Sequence, residues 1–142
     1  MKAKHILQSK GAEVFAVSPD DTIAAAVSVL NDKNIGAVVV RDNRGEAVGI
    51  LSERDVVRRL KTQGADVLAS PVSACMTANV VSCQLADTID ELMSKMTKRR
   101  IRHVPVVEKG ALVGLVSIGD VVKHKIEITE QEAAALRDYI TS

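Results

Sequence analysis

The chain repeats itself in nearly constant register, and this repeat limits what it can fold into. Residues 21–23 (DTI) return as residues 87–89, and residues 49–57 (GILSERDVV) return as residues 114–122 (GLVSIGDVV). Because the two offsets differ by only one residue, the pattern indicates one structural unit used twice. Two copies are too few for a solenoid, which needs at least three stacked repeats. We therefore expect the copies to pack on each other about a pseudo-two-fold axis, which would create two similar clefts.

Composition excludes several classes of function. The chain has one Phe, one Tyr and no Trp, so its core must be aliphatic, and a base-stacking platform for nucleic acid is not expected. Its 19 basic and 18 acidic residues give a net charge of +1, which argues against binding polyanions by bulk charge. No N-terminal leader is visible, and no apolar run approaches the roughly 20 residues that a bilayer span needs. We expect a cytoplasmic protein that binds neither membrane nor nucleic acid.

The cysteines and histidines give no indication of a metal site. Cys75 and Cys83 lie in or near the second copy and have no partner in the first. Their spacing is not that of metal ligands, and it suits reduced thiols that serve as packing residues. Three scattered histidines add no ligand pattern, and we expect His5 and His124 to be structural. The sequence predicts no metal.

The first copy has the pattern of a β-α-β-β-α unit. Its apolar runs predict strands at residues 14–17, 37–40 and 47–51, the second of which should be covered on both faces. Ser18 is expected to cap the first helix, with Pro19 at the first helical position. Gly45 suits a hairpin turn between the last two strands. The second helix should begin near Ser52.

The second copy repeats every element. The predictions are a short strand at residues 80–81, a helix opening at Asp87, strands at 103–107 and 111–116, and a final helix from near Ile118. This last helix is expected to run on, because Ile126, Ala133, Leu136 and Ile140 give a further apolar stripe. The chain divides into a first repeat at residues 3–62, a connector at 63–71, a second repeat at 72–124 and a C-terminal helical extension at 125–142.

Four short motifs resemble those of a tandem pair of CBS domains, the arrangement called a Bateman module. They are residues 49–55 (GILSERD), their copy at 114–120, residues 102–106 (RHVPV) and the Met-Thr pair at 76–77. The resemblance covers roughly residues 3 to 124, with the order and spacing of the motifs matching throughout. The opening of the first copy departs from it, because residues 6–8 (ILQ) stand where the second copy has residues 75–77 (CMT). The tail at residues 127–142 is extra to the family core.

The resemblance implies a fold, a ligand class and a role. It implies an α+β fold of two β-α-β-β-α units packed about a pseudo-two-fold axis with their sheets facing inward, here with an extra C-terminal helix. It implies reversible binding of an adenosine-containing ligand between the repeats: AMP first, with ADP, ATP, NAD(H) or S-adenosylmethionine as alternatives. It also implies a regulatory module, usually a homodimer, that signals to a separate regulated protein. No enzyme activity, catalytic residue or catalytic cofactor is expected.

The repeated Ser-x-x-Asp motif has a physical reason to hold a nucleotide. Asp55 and Asp120 each follow a serine, Ser52 or Ser117, by three residues, which places the carboxylate in the first turn of a helix. A carboxylate there can accept hydrogen bonds from a ribose diol, while the serine and the helix N-terminus can meet a phosphate. The alternative is that the serines only cap their helices and the aspartates only complement the helix dipole.

The starts of the two central strands supply the remaining candidate residues. By resemblance, they line slots for adenine: Ile35, Gly36, Ala37 and Val38 in the first copy, and Ile101, Arg102, His103 and Val104 in the second. Pro105 has no N–H and so suits an edge or the start of a strand, which would leave nearby backbone groups available to a ligand.

The copies differ in charge at their clefts. Arg102 and His103 occupy the positions of Gly36 and Ala37, and Arg54 has Gly119 as its counterpart. Basic side chains at a cleft mouth make charge-assisted contacts with phosphate. We therefore predict unequal clefts in which Arg102 and His103 serve phosphate. The basic run at residues 98–100 fits either this role or a solvated helix end.

Two other functions fit parts of the sequence. A hydrolase could use Ser52 or Ser117 with His103 and an aspartate, but no Gly-x-Ser-x-Gly elbow is present. A ligand-independent dimerisation or scaffold protein would use the apolar stripe of the C-terminal extension. Failure to turn over adenine nucleotides would exclude the enzyme, and the absence of any thermal shift with nucleotides would favour the scaffold.

Overall fold

The first repeat folds into a three-stranded sheet with helices beside it. The computed structural model describes residues 1–141, and a helix, α1 (Ala3–Lys10), precedes the repeat. The repeat consists of β1 (Ala16–Val17), α2 (Ile23–Asp32), β2 (Ala37–Arg41), β3 (Ala47–Ser52) and α3 (Glu53–Gln63). Strand β2 is central, parallel to β1 and antiparallel to β3. Its residues Val38, Val39 and Val40 have no exposed surface, which confirms the prediction of a strand covered on both faces.

The second repeat has a smaller sheet and a longer last helix. Two short 3-10 helices, Gly64–Ala69 and Val72–Ala74, lead to α4 (Ile89–Arg99), β4 (His103–Glu108), β5 (Ala111–Ser117) and α5 (Ile118–Thr141). Strands β4 and β5 form an antiparallel pair. The last helix therefore runs on into the C-terminal extension without a break. The α+β class, with two small sheets and a C-terminal helix, is confirmed.

The strand predicted at residues 80–81 does not form, and Pro105 explains why. In the first repeat, Val39 of β2 donates its N–H to the carbonyl oxygen of Phe15 at 3.2 Å, just before β1. The corresponding residue of β4 is Pro105, which has no N–H to donate. The chain hydrogen-bonds to β4 only two residues after Val81. There, Cys83 N donates to Pro105 O at 2.9 Å, and Cys83 O accepts from Val107 N at 2.8 Å. Only a single parallel bridge, between Cys83 and Val106, remains of the expected pairing.

The predicted starts of α2 and α4 were also wrong by a few residues. Thr22 caps α2, because its Oγ1 accepts a hydrogen bond from Ala25 N at 3.2 Å, and Thr88 caps α4 in the same way. Ser18 instead belongs to a preceding turn, where its N–H donates to Asp21 Oδ2 at 2.9 Å. This turn places Pro19 before the helix. In both repeats a threonine caps the helix, a few residues after the start predicted from the sequence.

The segment that leads into each repeat packs on the other repeat. Ala3 N donates to Asp87 O at 2.8 Å, and Val72 N donates to Asp21 O, also at 2.8 Å, in the matching position. A Cβ atom at Gly114 would lie 2.6 Å from the side chain of Leu7, and one at Gly49 would lie 2.7 Å from the Sδ atom of Met76. Each glycine is therefore required by the close approach of the lead segment. The correspondence of residues 6–8 with 75–77 is visible in this packing.

This exchange also determines the composition of two separate apolar cores. Ile6 and Leu7 of α1 belong to the core of the second repeat, whereas Val67 and Val72 of the connecting segment belong to the core of the first. Leu68, the residue after Val67, is 41% exposed and stays outside both cores. Along the described part of the chain, none of the helices joins enough length to enough apolar character to cross a bilayer.

Both cysteines are buried free thiols, as the sequence predicts. Burial, with a smaller contribution from the charge of Asp87, raises the pKa of Cys83 to about 11. A thiol with so high a pKa stays protonated near neutral pH and is a poor nucleophile. Cys83 belongs to the core of the second repeat and Cys75 to that of the first, where both are packing residues.

Candidate functional site

Two clefts lie between the repeats, and both repeats contribute to each. We name them the Ser52 cleft and the Ser117 cleft, after the serine that ends β3 or β5. The Ser52 cleft is lined by Gly36, Ile50, Ser52–Asp55 and Arg58 of the first repeat and by Thr77, Asn79–Val81 and Arg100–His103 of the second. The Ser117 cleft is lined by Lys10, Gly11, Glu13–Phe15, Asn34–Ala37, His103, Leu115 and Ser117.

The apolar parts of the two clefts correspond through the repeat. Ile50, Val81 and Ile101 line the Ser52 cleft, and their counterparts Leu115, Phe15 and Ile35 line the Ser117 cleft. Both clefts thus offer a slot with apolar walls. Because Pro105 prevents a β1-like pairing in the second repeat, the backbone of Val81 is left outside any sheet at the edge of the Ser52 cleft.

Ser52 and Asp55 form a reciprocal cap at the start of α3. The Oδ2 atom of Asp55 accepts hydrogen bonds from Ser52 N at 2.9 Å and from Ser52 Oγ at 3.0 Å. In return, Asp55 N donates to Ser52 Oγ at 3.3 Å. The capping alternative therefore holds, but it uses only one carboxylate oxygen. Within residues 1–141, Ser52 is the only hydrogen-bond donor to this carboxylate, and its Oδ1 remains available to a ligand in the cleft.

The matching pair at the start of α5 carries an additional partner, which the sequence did not predict. Asp120 Oδ2 accepts from Ser117 N at 2.9 Å, and it also pairs with Lys10 Nζ at 2.7 Å. The same ammonium group donates to Leu115 O at 3.0 Å. Burial by itself raises the pKa of Asp120, but the hydrogen bonds from Lys10 and Ser117, together with the charge of Lys10, hold that pKa below its usual value. The carboxylate is therefore ionised and already paired.

The Ser52 cleft is the more basic of the two. Four arginines line it, Arg54, Arg58, Arg100 and Arg102, against two acids, Glu53 and Asp55. The Ser117 cleft has one lysine and one glutamate, Lys10 and Glu13. Guanidinium groups suit phosphate oxygens because their donors form a planar fork.

Arg100 is placed in the cleft by the way that α4 ends. It adopts a left-handed conformation, with φ of 54° and ψ of 43°, as the residue after the helix. Its counterpart Asn34 has φ of 52° and lines the Ser117 cleft. The basic run at residues 98–100 therefore divides, because Arg100 lines the cleft whereas Lys98 and Arg99 are exposed in the last turn of α4.

His103 stands at the junction of the two clefts and lines both. Its Nε2 atom lies 3.5 Å from the position that a Cβ atom would take at Gly36. Burial lowers the pKa of His103, and the nearby charges of Lys10 and Arg102 lower it further, while Asp120 and Glu53 oppose this shift. The ring is therefore neutral near pH 7 and presents one N–H donor and one acceptor.

The structure brings most of the predicted residues together, but it divides them between the clefts. Seven predicted residues line the Ser52 cleft: Gly36, Ser52, Arg54, Asp55, Ile101, Arg102 and His103. Ile35, Gly36, Ala37, His103 and Ser117 line the Ser117 cleft, and Asp120 is joined to that cleft through Ser117 and Lys10.

Three predicted residues reach neither cleft. Val38 and Val104 have no exposed surface and belong to the cores of the first and the second repeat, respectively. Pro105 is buried within β4, so its effect on the site comes through the pairing that it prevents.

Lys10, Arg58 and the segment Asn79–Val81 were missed as lining residues. Arg58 lies five residues after Glu53, where α3 begins, so its position on the helix could have indicated a place near the cleft. No local pattern marks Lys10, which enters the Ser117 cleft because α1 packs on the opposite repeat.

Comparison with known proteins gives consistent results. The family model of the CBS domain matches twice, at residues 4–62 and 72–127. A CBS-domain-containing protein from Agrobacterium tumefaciens has a crystal structure that is 49% identical, with a TM-score of 0.85, over 87% of this chain and 92% of that one. A putative signal-transduction protein with CBS domains from Burkholderia ambifaria is 36% identical, with a TM-score of 0.85, over 89% and 95% of the two chains.

A third solved structure contains ligands. The CBS domain pair of protein MJ0100, in complex with 5′-methylthioadenosine and S-adenosyl-L-methionine, is 26% identical to this chain. Its TM-score is 0.77, and the likeness covers 87% of this chain and 94% of that one.

Proposed function

This chain belongs to the CBS-domain family, and we propose that it is a regulatory module that reversibly binds a phosphorylated adenosine, first of all in the Ser52 cleft. The observation that carries the proposal is that Asp55 and four arginines line one cleft, with two of the arginines on the opposite repeat. Adenosine-containing ligands bound to the CBS domain pair of MJ0100 support the same ligand class. The choice of the Ser52 cleft and the preference for a phosphorylated ligand are both part of what we propose.

Each part of such a ligand has a chemical counterpart in the Ser52 cleft. Ile50, Val80, Val81 and Ile101 provide apolar surface for adenine, next to backbone groups outside any sheet. The Asp55 carboxylate can accept from the ribose hydroxyls through Oδ1. Arg102 and Arg100 provide donors and positive charge for phosphate oxygens.

Charge, rather than size, favours the Ser52 cleft. The Ser117 cleft is larger, about 410 Å³ against about 220 Å³, so volume alone would favour it. Its aspartate, however, is engaged by Lys10 at 2.7 Å. A ribose that binds there must compete with an ion pair. AMP, ADP and ATP therefore rank before S-adenosylmethionine, which lacks phosphate and carries a positive sulfonium.

The regulatory output belongs to the same proposal. Both matched regions of the chain are CBS domains, and the proposed signal passes to a separate protein or through a homodimer. No enzyme activity is proposed for these repeats. The cytoplasmic location stays a prediction.

Calorimetry and thermal shift with AMP, ADP, ATP, NAD(H), adenosine and S-adenosylmethionine test the proposal. A ligand at 100 times its dissociation constant should stabilise the fold by about 2.7 kcal/mol. Asp55→Asn keeps a side-chain acceptor for the cap but removes the charge, and it should weaken nucleotide binding by roughly tenfold or more. The matched variant Asp120→Asn should leave this binding event unchanged. If no ligand of the panel binds, or if only Asp120→Asn weakens it, the proposal is wrong.

A scaffold function is the second candidate, and the exposed apolar side chains of α5 favour it. Leu136 is 60% exposed and Ile140 is 71% exposed. A pure scaffold would give no thermal shift with any member of the panel and would still self-associate. The two functions are therefore separated by the same measurements.

A further inference from the structure

We infer that α5 is a self-association helix that pairs in parallel with α5 of a second copy of this chain. This inference gives a specific surface to the homodimer proposed above, but it requires no ligand. Its test therefore fails or succeeds independently of nucleotide binding.

One face of α5 carries a heptad pattern with no partner in the fold. Val122, Ile126, Thr129, Ala133, Leu136 and Ile140 follow one another at alternating spacings of four and three residues, which is the a/d repeat of a coiled coil. All six are exposed. Ile126 and Ile140 are 53% and 71% exposed, although they are large apolar side chains. We call these six residues the α5 seam.

A different face of the same helix packs on the second repeat. Val121 has no exposed surface, and His124 is 5% exposed, with its Nδ1 atom 2.9 Å from Asp120 O. Ile128 is packed against the same core. This contact fixes the helix over its first turns, so the seam does not have to nucleate a helix before it can pair.

The last three turns of α5 project from the folded body. From residue 129 to residue 141, every residue except Ala134 is exposed. An isolated helix of this length is marginal in water. An apolar stripe that continues along such a projection requires a partner in order to be stable.

The residues at the a and d positions favour two strands. Ile126, Ala133 and Ile140 take one set of alternating positions, and Val122, Thr129 and Leu136 take the other. A β-branched residue at a with leucine at d is typical of parallel dimers, and this combination is present at Ile140 and Leu136. Ala133, near the middle of the seam, lets the two backbones approach closely.

The charges beside the seam select a second copy in parallel orientation. The charged residues at the flanking g and e positions are Lys123, Lys125, Glu130, Glu132 and Arg137, and the last g position is Tyr139. In a parallel pair, each g position meets the e position five residues later on the partner, which places Lys125 against Glu130 and Glu132 against Arg137. Antiparallel pairs join g to g and e to e. When all six seam residues overlap, this brings Glu132 against Glu132 and Glu130 against Glu130. With the whole seam overlapping, only the parallel arrangement is without a pair of like charges. Antiparallel registers that avoid such pairs overlap only four of the six seam residues.

The stronger of the two charge pairs is expected to be Glu132 with Arg137. Lys125 already forms an ion pair with Asp90 of its own chain at 3.1 Å. It has to give up or share this contact in order to pair with Glu130 of the second copy. The side chain of Asp90 is 77% exposed, and the pair is therefore weak. Lys125 can turn to Glu130 of the second copy at little cost.

Sedimentation equilibrium of the full chain over a range of concentrations tests the inference. We expect a monomer–dimer equilibrium, with Leu136→Glu raising the dissociation constant at least tenfold while circular dichroism shows a folded protein. Glu132→Arg should weaken the dimer, and adding Arg137→Glu should restore it. Glu127→Arg makes the same change of charge at a position outside the seam and its flanks, and it should have no effect.

Orientation has its own test. Ile140→Cys should give a disulfide-linked dimer under oxidation, because a parallel pair places the two copies of position 140 opposite each other. Four outcomes would overturn the inference: a monomer at all concentrations, a dimer that tolerates Leu136→Glu, no rescue by the double charge reversal, or no cross-link. A dimer that is lost on Val57→Glu and kept on Leu136→Glu would place the interface on α3.

Discussion

Lys10 and Asp120 form an ion pair with Nζ and Oδ2 2.7 Å apart, although they are separated by 110 positions in the chain. The contact joins the end of α1 to the start of α5 at the Ser117 cleft. At the Ser52 cleft, no described residue plays this part for Asp55. The two aspartates of the repeated motif therefore have the same cap but different availability.

Removing the lysine should make the Ser117 cleft able to bind nucleoside. In Lys10→Met, Asp120 loses its cationic partner and becomes available to a ribose diol. We expect the calorimetric stoichiometry for adenosine to rise by one site for each chain, while stability falls by only about 0.2–1 kcal/mol because the pair is partly exposed. Lys4→Met, an exposed change on the same helix, should alter neither quantity. Unchanged adenosine binding in Lys10→Met would contradict the role of Lys10 as a competitor.

The Lys10–Asp120 pair should make the free energy of unfolding depend on pH in the acid range. The pKa of Asp120 is lower in the folded state than the value of about 3.9 usual for an unfolded chain. The ionised form therefore stabilises the fold above the unfolded pKa, and this contribution is lost as pH falls through the folded pKa.

Urea unfolding of wild type and Asp120→Asn from pH 7 down to strong acid measures this contribution. The wild type should be more stable near pH 7 by about 1 kcal/mol or less, since both side chains are partly exposed. The difference should close as the carboxyl group becomes protonated. A difference that stays constant over the whole pH range would show that it does not come from this charge.

Arg102 should distinguish phosphorylated ligands from adenosine. Arg102→Ala removes a charge-assisted contact worth about 1.5–3 kcal/mol, so we expect at least a tenfold loss in affinity for AMP or ATP and a weaker dependence of that affinity on salt. Adenosine binding should change little. Arg99→Ala removes the same charge from the exposed end of α4 and serves as the control. Equal effects of the two variants would mean that the phosphate responds to the overall charge of the protein and makes no specific contact with Arg102.

Gly114 should tolerate no side chain. A Cβ atom there would lie 2.6 Å from both Cδ atoms of Leu7, which is buried between α1 and β5. Gly114→Ala should therefore destabilise the fold by about 1–3 kcal/mol, as overpacking does.

Gly119→Ala provides the comparison for thermal or urea unfolding. Its added Cβ would lie 3.6 Å from Ser117 Oγ, an ordinary contact, and alanine is the better helix former. This variant should be neutral or slightly stabilising. The effect of Gly114→Ala should be reduced when it is combined with Leu7→Ala, because the two changes act on one contact.

The sequence predicts the fold well because its main signals are local or repeated. The β-branched run of β2 and the Ser-x-x-Asp starts of α3 and α5 all appear where they were expected. The helix start at Thr22 was missed because the adjacent Ser-Pro-Asp-Asp turn at residues 18–21 has the composition of a cap. The start at Thr88 was missed because the preceding Asp87 is itself a common capping residue. Pro105 was recognised as unable to donate, but its consequence, the loss of the strand at residues 80–81, depends on which residue would have been its partner.

The candidate site was less predictable because it is assembled across the repeats. Ser52 and Asp55 are visible in a local motif, but the arginines opposite them come from the other copy. Lys10 has no motif at all, and its position follows from the packing of Leu7 on Gly114. Patterns within one segment do not carry information of this kind.

The exchange of lead segments makes the two repeats mechanically inseparable. Helix α1 covers the core of the second repeat, yet the chain that leaves it passes directly into β1 of the first. A movement of Lys10 in the Ser117 cleft would pull on the sheet of the opposite repeat through five residues of backbone, Gly11–Phe15. Neither half could be cut away to leave a complete domain. A ligand that binds in one cleft would therefore stabilise both repeats as a single folding unit.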